Sequence, residues 1–344
     1  MRKKQGKKPV VSVIMPVFNT KESYLRAAIE SILNQTFKKF EFIIVDDCSD
    51  KVDVEKIVRS YQDSRIRFVK QDKNQGDAVA RNRGIKMARG EFIAMQDSDD
   101  ISRPQRFEIQ LDYMKNYPDV GVLGTAYSVF PRAKEQVWNK FGSAEYLNSY
   151  ALFHNSPFGH STVMLRSSMI KELGIGYDKN FICNDFKLWM DLVGKTKFMN
   201  VPKVLLDYRV HGNNISLQKA DIMNEQVAQI RVQGWIDELK LPVQTSGLLI
   251  KFLKGEKLSL PEQRKSMNIV CQVFDVYRKK EKDKNPRAFI MLDYLIQGVK
   301  ERALAHGNKY EDKILDWRVF YTPTQVYRKK PLKYMIRSGK EYSR

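Results

Sequence analysis

Cysteine is scarce in this chain. There are three in 344 residues, Cys48, Cys183 and Cys271, far apart and none in a CxxC pair. That argues against a disulfide framework or a zinc site and fits a reducing compartment. Long apolar runs are missing too, since none approaches the ~20 residues that span a bilayer. The opening MRKKQGKKPVVSVIMPVFN has a basic start, but Pro16 and Asn19 cut its apolar stretch short and no small-residue cleavage site follows. Secretion is therefore not expected. No GxGxxG dinucleotide fingerprint occurs. Gly194-Lys195-Thr196 resembles the end of a P-loop, yet the glycine needed five residues earlier is Trp189, which rejects a P-loop NTPase. Acids are outnumbered, 40 against 60 basic residues, for a net charge of +20. Such a balance calls for an anionic partner or surface: nucleic acid, anionic lipid or a phosphorylated substrate.

The chain exceeds one average domain, so a large domain plus an appendage is expected. An apolar share of 42% with 18 Phe and 16 Tyr is ample for a packed core, which excludes disorder of the whole chain. Residues 10–18 (VVSVIMPVF) read as a buried strand, and Leu25, Ala28, Ile29, Ile32 and Leu33 then share one helix face. FEFIIVDD at 40–47, RIRFVK at 65–70 and EFIAMQD at 91–97 read as further strands, with helices over 52–61 and 77–89. This alternation implies βαβ units, a mainly parallel sheet and an α/β fold. Ligands gather beyond the carboxyl ends of such strands, and three of them end in Asn19, Asp46-Asp47 and Asp97. Beyond about residue 220 the texture becomes helical: 220–239, a helix opened by SLPE at Ser259, and one capped by Asn285-Pro286. A boundary near 218 is expected, dividing 1–218 from 219–344.

Five segments carry candidate chemistry. MQDSDD at 95–100 places Asp97 and Asp99 two apart at a strand end, which suits a hard cation shared with substrate phosphates; a solvated acidic turn is the alternative. IIVDDCSD at 43–50 offers carboxylates to a base or ribose, or simply an Asx-turn. In NQGDAVARNRGI, Asn74 and Gly76 open a loop before a helix whose amides can face an anion, with Arg81 in reach of a phosphate; the alternative is a surface helix with ordinary arginines. Asp185 opens the helix of NDFKLW as an N-cap, or as a general base if half-buried beside an acceptor. YRVHGNNIS puts Arg209 and His211 in a loop fit to meet phosphate or metal and to close as a lid, or to leave the domain as a plain polar loop.

Taken in order over residues 10–217, these segments, together with VSVIMPVFN at the first strand, resemble family 2 inverting glycosyltransferases with the GT-A fold, a Rossmann-like sheet flanked by helices. The resemblance implies that Pro16, Val17, Phe18, Asn19, Asp46 and Asp47 hold a nucleotide base and ribose, with Asn74, Gly76 and Arg81 on the same nucleotide. It implies that Asp97 and Ser98 meet the donor and that Asp99, with His211, meets Mn2+ or Mg2+ on the diphosphate. Arg209 would touch phosphate and Asp185 would be the base. The family usually has Glu where this chain has Asn184, and often an acid where it has Lys187. The helical tail beyond 218 matches nothing in the resemblance.

The expected reaction is inverting transfer from a nucleotide diphosphate sugar, with UDP as the family's usual carrier, to a saccharide or lipid-linked saccharide, in surface polysaccharide or glycolipid synthesis. A sugar-nucleotide-forming nucleotidyltransferase would share the acids, but it normally opens with a glycine-rich basic loop where this chain reads PVFNTKESY. A nucleic-acid-binding protein would explain the charge but not polar and acidic groups gathered at three strand tips, so no nucleic acid is expected. The terminus RKKQGKK at 2–8 carries five basic residues, and RKKPLKYMIRSGKEYSR at 328–344 interleaves basic with apolar residues. They suggest a cytoplasmic protein held peripherally at the anionic inner face of the cell membrane.

Overall fold

A computed structural model describes residues 8–131, 136–138, 144–153, 155–280, 287–305 and 307–308. The basic termini at 2–7 and 328–344 lie outside the described residues, as does the Asn285-Pro286 cap. Strand and helix alternate first as β1 (Val11–Val17), α1 (Glu22–Leu33), β2 (Phe40–Asp46), α2 (Val54–Arg59), β3 (Ile66–Lys70), α3 (Asp77–Met87) and β4 (Phe92–Met95). There follow β5 (Ile101–Ser102), α4 (Arg106–Asn116), β6 (Val120–Phe130), β7 (Gln136–Trp138) and α5 (Ala144–Phe153). A short 3-10 turn at His160–Thr162 leads into β8 (Met164–Arg166), α6 (Ser167–Leu173), α7 (Asn184–Leu192) and β9 (Lys197–Arg209). The rest is helical: α8 (Ile215–Gln218), α9 (Ala220–Leu239), α10 (Thr245–Lys254), α11 (Leu260–Lys280) and α12 (Arg287–Ala305).

The strands form one sheet in the order β3-β2-β1-β4-β8-β6-β9-β5, with β7 beside β6. Its β3-β2-β1-β4 half is parallel, as the alternation predicts. The other half is mixed. Antiparallel β8 joins β4 to β6, while β6 and β9 run parallel. Every residue of β1 is buried, because helices cover both faces. Met15 and Val17 meet Leu25, Ile29 and Ile32 of α1 and Phe107 of α4, whereas Ile14 faces the opposite cluster, which holds Leu188 and Trp189 of α7. The chain steps outward from β1 to β3, then returns to place β4 on the other side of β1. That reversal opens a crevice at the carboxyl ends of β1, β2 and β4.

The helices beyond 218 do not close on themselves. Their core, built on Trp235, Phe252, Met267 and Phe274, takes in Tyr150 and Phe153 of α5. Phe153 meets Phe274 edge-on at 5.5 Å. SLPE opens α11 as read, with Ser259 N–H and Oγ donating to Glu262 Oε2 at 2.8 and 2.6 Å.

At the sheet's amino end Glu41 ties four segments together. Its side chain is 4% exposed. It accepts hydrogen bonds from Ser12 Oγ on β1 (2.7 Å), Arg67 on β3 (2.6 Å) and the backbone and Nε of Arg89 (2.8 and 3.0 Å). Burial raises its pKa, but these donors together hold it below the ordinary 4.5. A carboxylate with a depressed folded pKa stabilises the fold fully above its unfolded value and loses that contribution as pH falls through the folded one. Glu41→Gln should therefore lower stability by about 1.5–3 kcal/mol at neutral pH. The deficit should shrink as pH drops below 4.5, read by urea unfolding across the acid range; a pH-independent deficit would mean the charge is not what matters.

Candidate functional site

The crevice is floored by the loops that leave β1, β2 and β4. Pro16 and Val17 are buried in the sheet, and the Val17 carbonyl already accepts the N–H of Asp47 at 2.8 Å. Their side chains are therefore not open to a ligand, contrary to a direct contact role. The chain surfaces at Phe18, 49% exposed. Asn19, at φ 50°, then reaches across to the β2 loop: its Nδ2 donates to Asp50 (2.8 Å), and its Oδ1 accepts the N–H of Asp50 and Lys51 (3.1 and 3.0 Å). Thr20 and Ser98 share a hydroxyl contact at 2.6 Å that joins the β1 loop to the β4 loop.

The two acids ending β2 are committed within the chain. Asp46 accepts the Ser49 N–H at 3.0 Å, which is the Asx-turn alternative. Asp47, 2% exposed, accepts from the Gln71 side chain and from the N–H groups of Gln75 (2.8 Å) and Gly76 (2.7 Å). The amides before α3 therefore face an anion as expected, but that anion is Asp47. Gly76 sits at φ 90°, which a residue with a Cβ rarely adopts, and so lets the loop turn onto Asp47 before entering α3. Asn74 is exposed on the same loop.

Asp97 is the most heavily held acid. Arg81 of α3, 8% exposed, donates to it at 3.1 Å and also pairs with Asp77 and with Asn184 Oδ1 (2.8 Å). This corrects the expectation of a free phosphate-binding arginine: Arg81 is a buried strut. His160 Nδ1 lies 3.2 and 3.1 Å from the two Asp97 oxygens, and its Nε2 lies 3.0 Å from the Tyr177 hydroxyl. Burial disfavours the Asp97 charge, but His160, Arg81 and a Ser161 hydrogen bond overcome it and hold the pKa well below the usual carboxylate range. Burial likewise opposes the Arg81 charge, and Asp97 with Asp77 outweighs it, so the guanidinium stays protonated. Burial pushes the Tyr177 phenol up. Protonated, it can donate to His160, leaving the Nδ1 proton for Asp97.

The next acids behave differently. Burial and the nearby Asp97 raise the Asp99 pKa against a hydrogen bond with His211, whose Nε2 lies 2.9 Å from Asp99 Oδ2. Because the Asn213 N–H donates to His211 Nδ1 at 3.2 Å, the Nε2 carries the proton facing Asp99. Asp100 is pushed further up by burial, then by Asp99 and Asp97, and takes one backbone hydrogen bond from Arg209 at 2.9 Å. Arg209 donates its Nε to the Asp99 carbonyl at 2.7 Å. Its guanidinium lies between the rings of Tyr24 (4.3 Å) and Phe130 (4.5 Å). Beneath the loop, fully buried Arg106 of the RPQRF segment donates to Gln96, Ser102, Gln110 and the carbonyls of Met95 and Val163. Burial lowers its pKa to about 9. Gln96 in turn ties back the carbonyls of Asp97 and Asp100.

Asp185 stands in the first turn of α7, and Cys183 takes the cap position without a side-chain bond. Asp185 is thus not the N-cap. Half-buried, it has no hydrogen-bond partner among the described residues and lies close enough to Tyr177 and Arg81 to influence both. Fully buried Asn184 bridges Arg81 and Asp77, donating to Asp77 Oδ1 at 3.1 Å. The expected residues Asn19, Ser98, Asp97, Asp99, Arg209 and His211 thus gather along one edge, with Asp185 beside them. Sequence reading missed His160, Tyr177, Tyr24 and Asp77. Only Asp77 left a signal, its spacing of four from Arg81 along a helix.

Comparison with known proteins agrees with this geometry. The family model for glycosyl transferase family 2 matches residues 12–174. Over 211 residues the chain is 36% identical to an uncharacterized glycosyltransferase of Methanocaldococcus jannaschii, covering 59% of this chain and 71% of that protein. Over 213 residues it is 33% identical to a UDP-Glc:alpha-D-GlcNAc-diphosphoundecaprenol beta-1,3-glucosyltransferase of Escherichia coli, covering 61% and 81%. The structure of S. aureus TarS 1–349 in complex with UDP-GlcNAc shares the fold, with a TM-score of 0.59 at 18% identity over 88% of this chain and 93% of that one. A mixed sheet with acids along its crevice, a matching family model and relatives of this coverage lead to one assignment: the chain belongs to glycosyltransferase family 2 and has the GT-A fold.

Proposed function

We propose that the protein transfers a sugar, with inversion, from a nucleotide diphosphate sugar, UDP being the carrier, to an acceptor hydroxyl. The observation that carries this reading is the Asp185 carboxylate, unpartnered among the described residues and close to Arg81, which holds Asp97, and to Tyr177. Residues 1–218 form the donor-binding catalytic part and 219–344 a second part, whose described helices attach through α5. The base and ribose lie along the β1–β2 edge, beside the exposed Phe18 ring and the loop that Asp46 and Asp47 fasten. TarS was solved with UDP-GlcNAc, which favours UDP. The E. coli relative's acceptor is a lipid-linked sugar, which favours a saccharide or lipid-linked saccharide in surface polysaccharide or glycolipid synthesis.

Among the described residues no group of three or more His, Cys, Asp or Glu is placed to hold a metal ion. Mg2+ and Mn2+ do not require one, because such ions are commonly held by one or two side chains plus substrate phosphates and water. Burial and the crowding of Asp97 against Asp99, which raise the Asp99 pKa, are the strain a cation would relieve; Asp99 fits that role, and His211 would join it on giving up the Nε2 proton it now turns to Asp99. Bound there, the ion would neutralise charge on the departing diphosphate. Arg209, fixed by the Asp99 carbonyl and two rings, would offer its remaining N–H groups to the same diphosphate. Asp185 accepts the proton of the acceptor hydroxyl while that oxygen bonds to the anomeric carbon. The bond from that carbon to the diphosphate oxygen breaks on the opposite face, and the nucleoside diphosphate leaves.

No helix among the described residues is long and apolar enough to cross a membrane. We place the protein at the cytoplasmic face, with the basic termini drawing it to anionic lipid, each basic residue contributing roughly 1 kcal/mol. Sedimentation at low salt with vesicles containing anionic lipid should pellet the full chain, and truncation after Pro323 should weaken this. Protein left in the supernatant would remove the membrane role.

Two further outcomes are expected. EDTA should abolish transfer, Mn2+ or Mg2+ should restore it, and Asp99→Asn should be inactive yet folded; full activity after exhaustive chelation would end the metal assignment. Asp185→Asn should lower kcat on the order of 10²–10⁴-fold with donor affinity unchanged. Near-normal kcat would leave Asp185 without a catalytic part.

A further inference from the structure

A cleft of about 260 Å³ opens beside the acids, with Tyr127, Trp138, Asn155, Phe158, Gly159 and Asn200 among its walls. None of the described residues that line it is charged, in a chain where 29% of residues are. Such a lining offers nothing to a phosphate, whose desolvation would go uncompensated. It offers flat aromatic surface and amide groups instead. The Trp138 ring lies parallel to that of Tyr127, at 5° and 6.4 Å between centroids, and Trp138 keeps 44% of its surface exposed. A half-open ring of that size offers an apolar face to a ligand. Neutral sugar rings present one flat C–H face and a rim of hydroxyls, the complement of an aromatic plate rimmed by amides. The volume falls below the roughly 300–1,000 Å³ of sites for larger ligands, so a single ring fits.

The cleft is tied to the reaction edge at three points. Gly159 immediately precedes His160, which holds Asp97, and a Cβ on Gly159 would stand 2.7 Å from the Tyr127 ring. Glycine is therefore needed for the wall and the His160 turn to pack together. Phe158 meets Trp189 edge-on at 5.1 Å, and Trp189 belongs to α7, the helix that begins beside Asp185. Tyr127 also touches Tyr208, 5.8 Å away on β9 just before Arg209.

We propose that this cleft is the acceptor subsite, taking one neutral sugar ring of the acceptor on the Trp138 plate. The assignment rests on the transferase reading above. Saturation-transfer NMR on the full chain, with glucose, N-acetylglucosamine, galactose and their methyl glycosides as probes and glucose 6-phosphate as anionic control, tests it. The wild type should bind at least one neutral probe in the presence of saturating UDP, and should bind the phosphorylated one no better. Trp138→Ala should weaken the neutral sugar roughly 10-fold, Trp138→Phe should retain most of the binding, and UDP affinity should be unchanged in both. Asn155→Ala gives a second reading should the alanine variant fail to fold. The proposal falls if no neutral probe binds, if UDP displaces the one that does, or if neither Trp138→Ala nor Asn155→Ala weakens it. UDP and other sugar nucleotides failing to bind the wild type would instead overturn the transferase reading itself.

Discussion

A carboxylate shut away from water must find a counter-charge or give up its own, and three acids within four residues, Asp97, Asp99 and Asp100, meet that rule in three ways. Asp97 keeps its charge because Arg81 and His160 both reach it. Asp99 is opposed by His211 alone, and burial with Asp97 drives its pKa up. Asp100, enclosed and beside both, is driven up furthest. One tight loop thus holds carboxyls of graded acidity. The partners come from α3, from the turn before β8 and from the loop after β9. The loop at the end of β4 is therefore where distant parts of the domain must agree.

That requirement explains features remote from the crevice. Arg106 is wholly buried on α4 at a cost that lowers its pKa to about 9, yet its donors organise Gln96 and Ser102 beneath the acidic loop. The β4–β8 pairing brings His160 under Asp97, since the Met95 N–H donates to the Val163 carbonyl at 3.1 Å just past the 3-10 turn. The parallel register of β6 and β9 carries Tyr208 and Arg209 to the same edge as Phe130. Antiparallel β8, missing from a purely alternating pattern, thus delivers His160 to the acids, and β9, parallel to β6, delivers His211.

Legibility followed the range of the forces. Strands β1, β2 and β4 and the polar and acidic residues at their tips could be read because burial on both faces leaves unbroken apolar runs and the polar residues fall where those runs end. The SLPE start of α11 was equally local. His160 could not be read: it lies 63 residues from Asp97 along the chain, in a glycine-serine turn with no acid nearby. Arg81 reads from the sequence as a free arginine in reach of a phosphate because helix periodicity does not report that Asp97 and Asn184 close over it. The role of α5 was hidden for a similar reason, since its partners Trp235 and Phe274 lie far downstream in the chain.

The departure at Asn184 follows from the same accounting. Arg81 already faces two carboxylates, Asp77 one turn earlier and Asp97 across the crevice. A glutamate at the wholly buried position 184 would set a third against one guanidinium, with burial raising the penalty on each. Asparagine meets both neighbours without adding charge, its oxygen accepting from Arg81 and its amide donating to Asp77. In this chain an acid that steadies Arg81 sits on α3 at Asp77, and position 184, where the resemblance expects an acid, holds a neutral bridge. Asp185, next in the chain, is thereby spared a carboxylate neighbour that would compete for the same arginine.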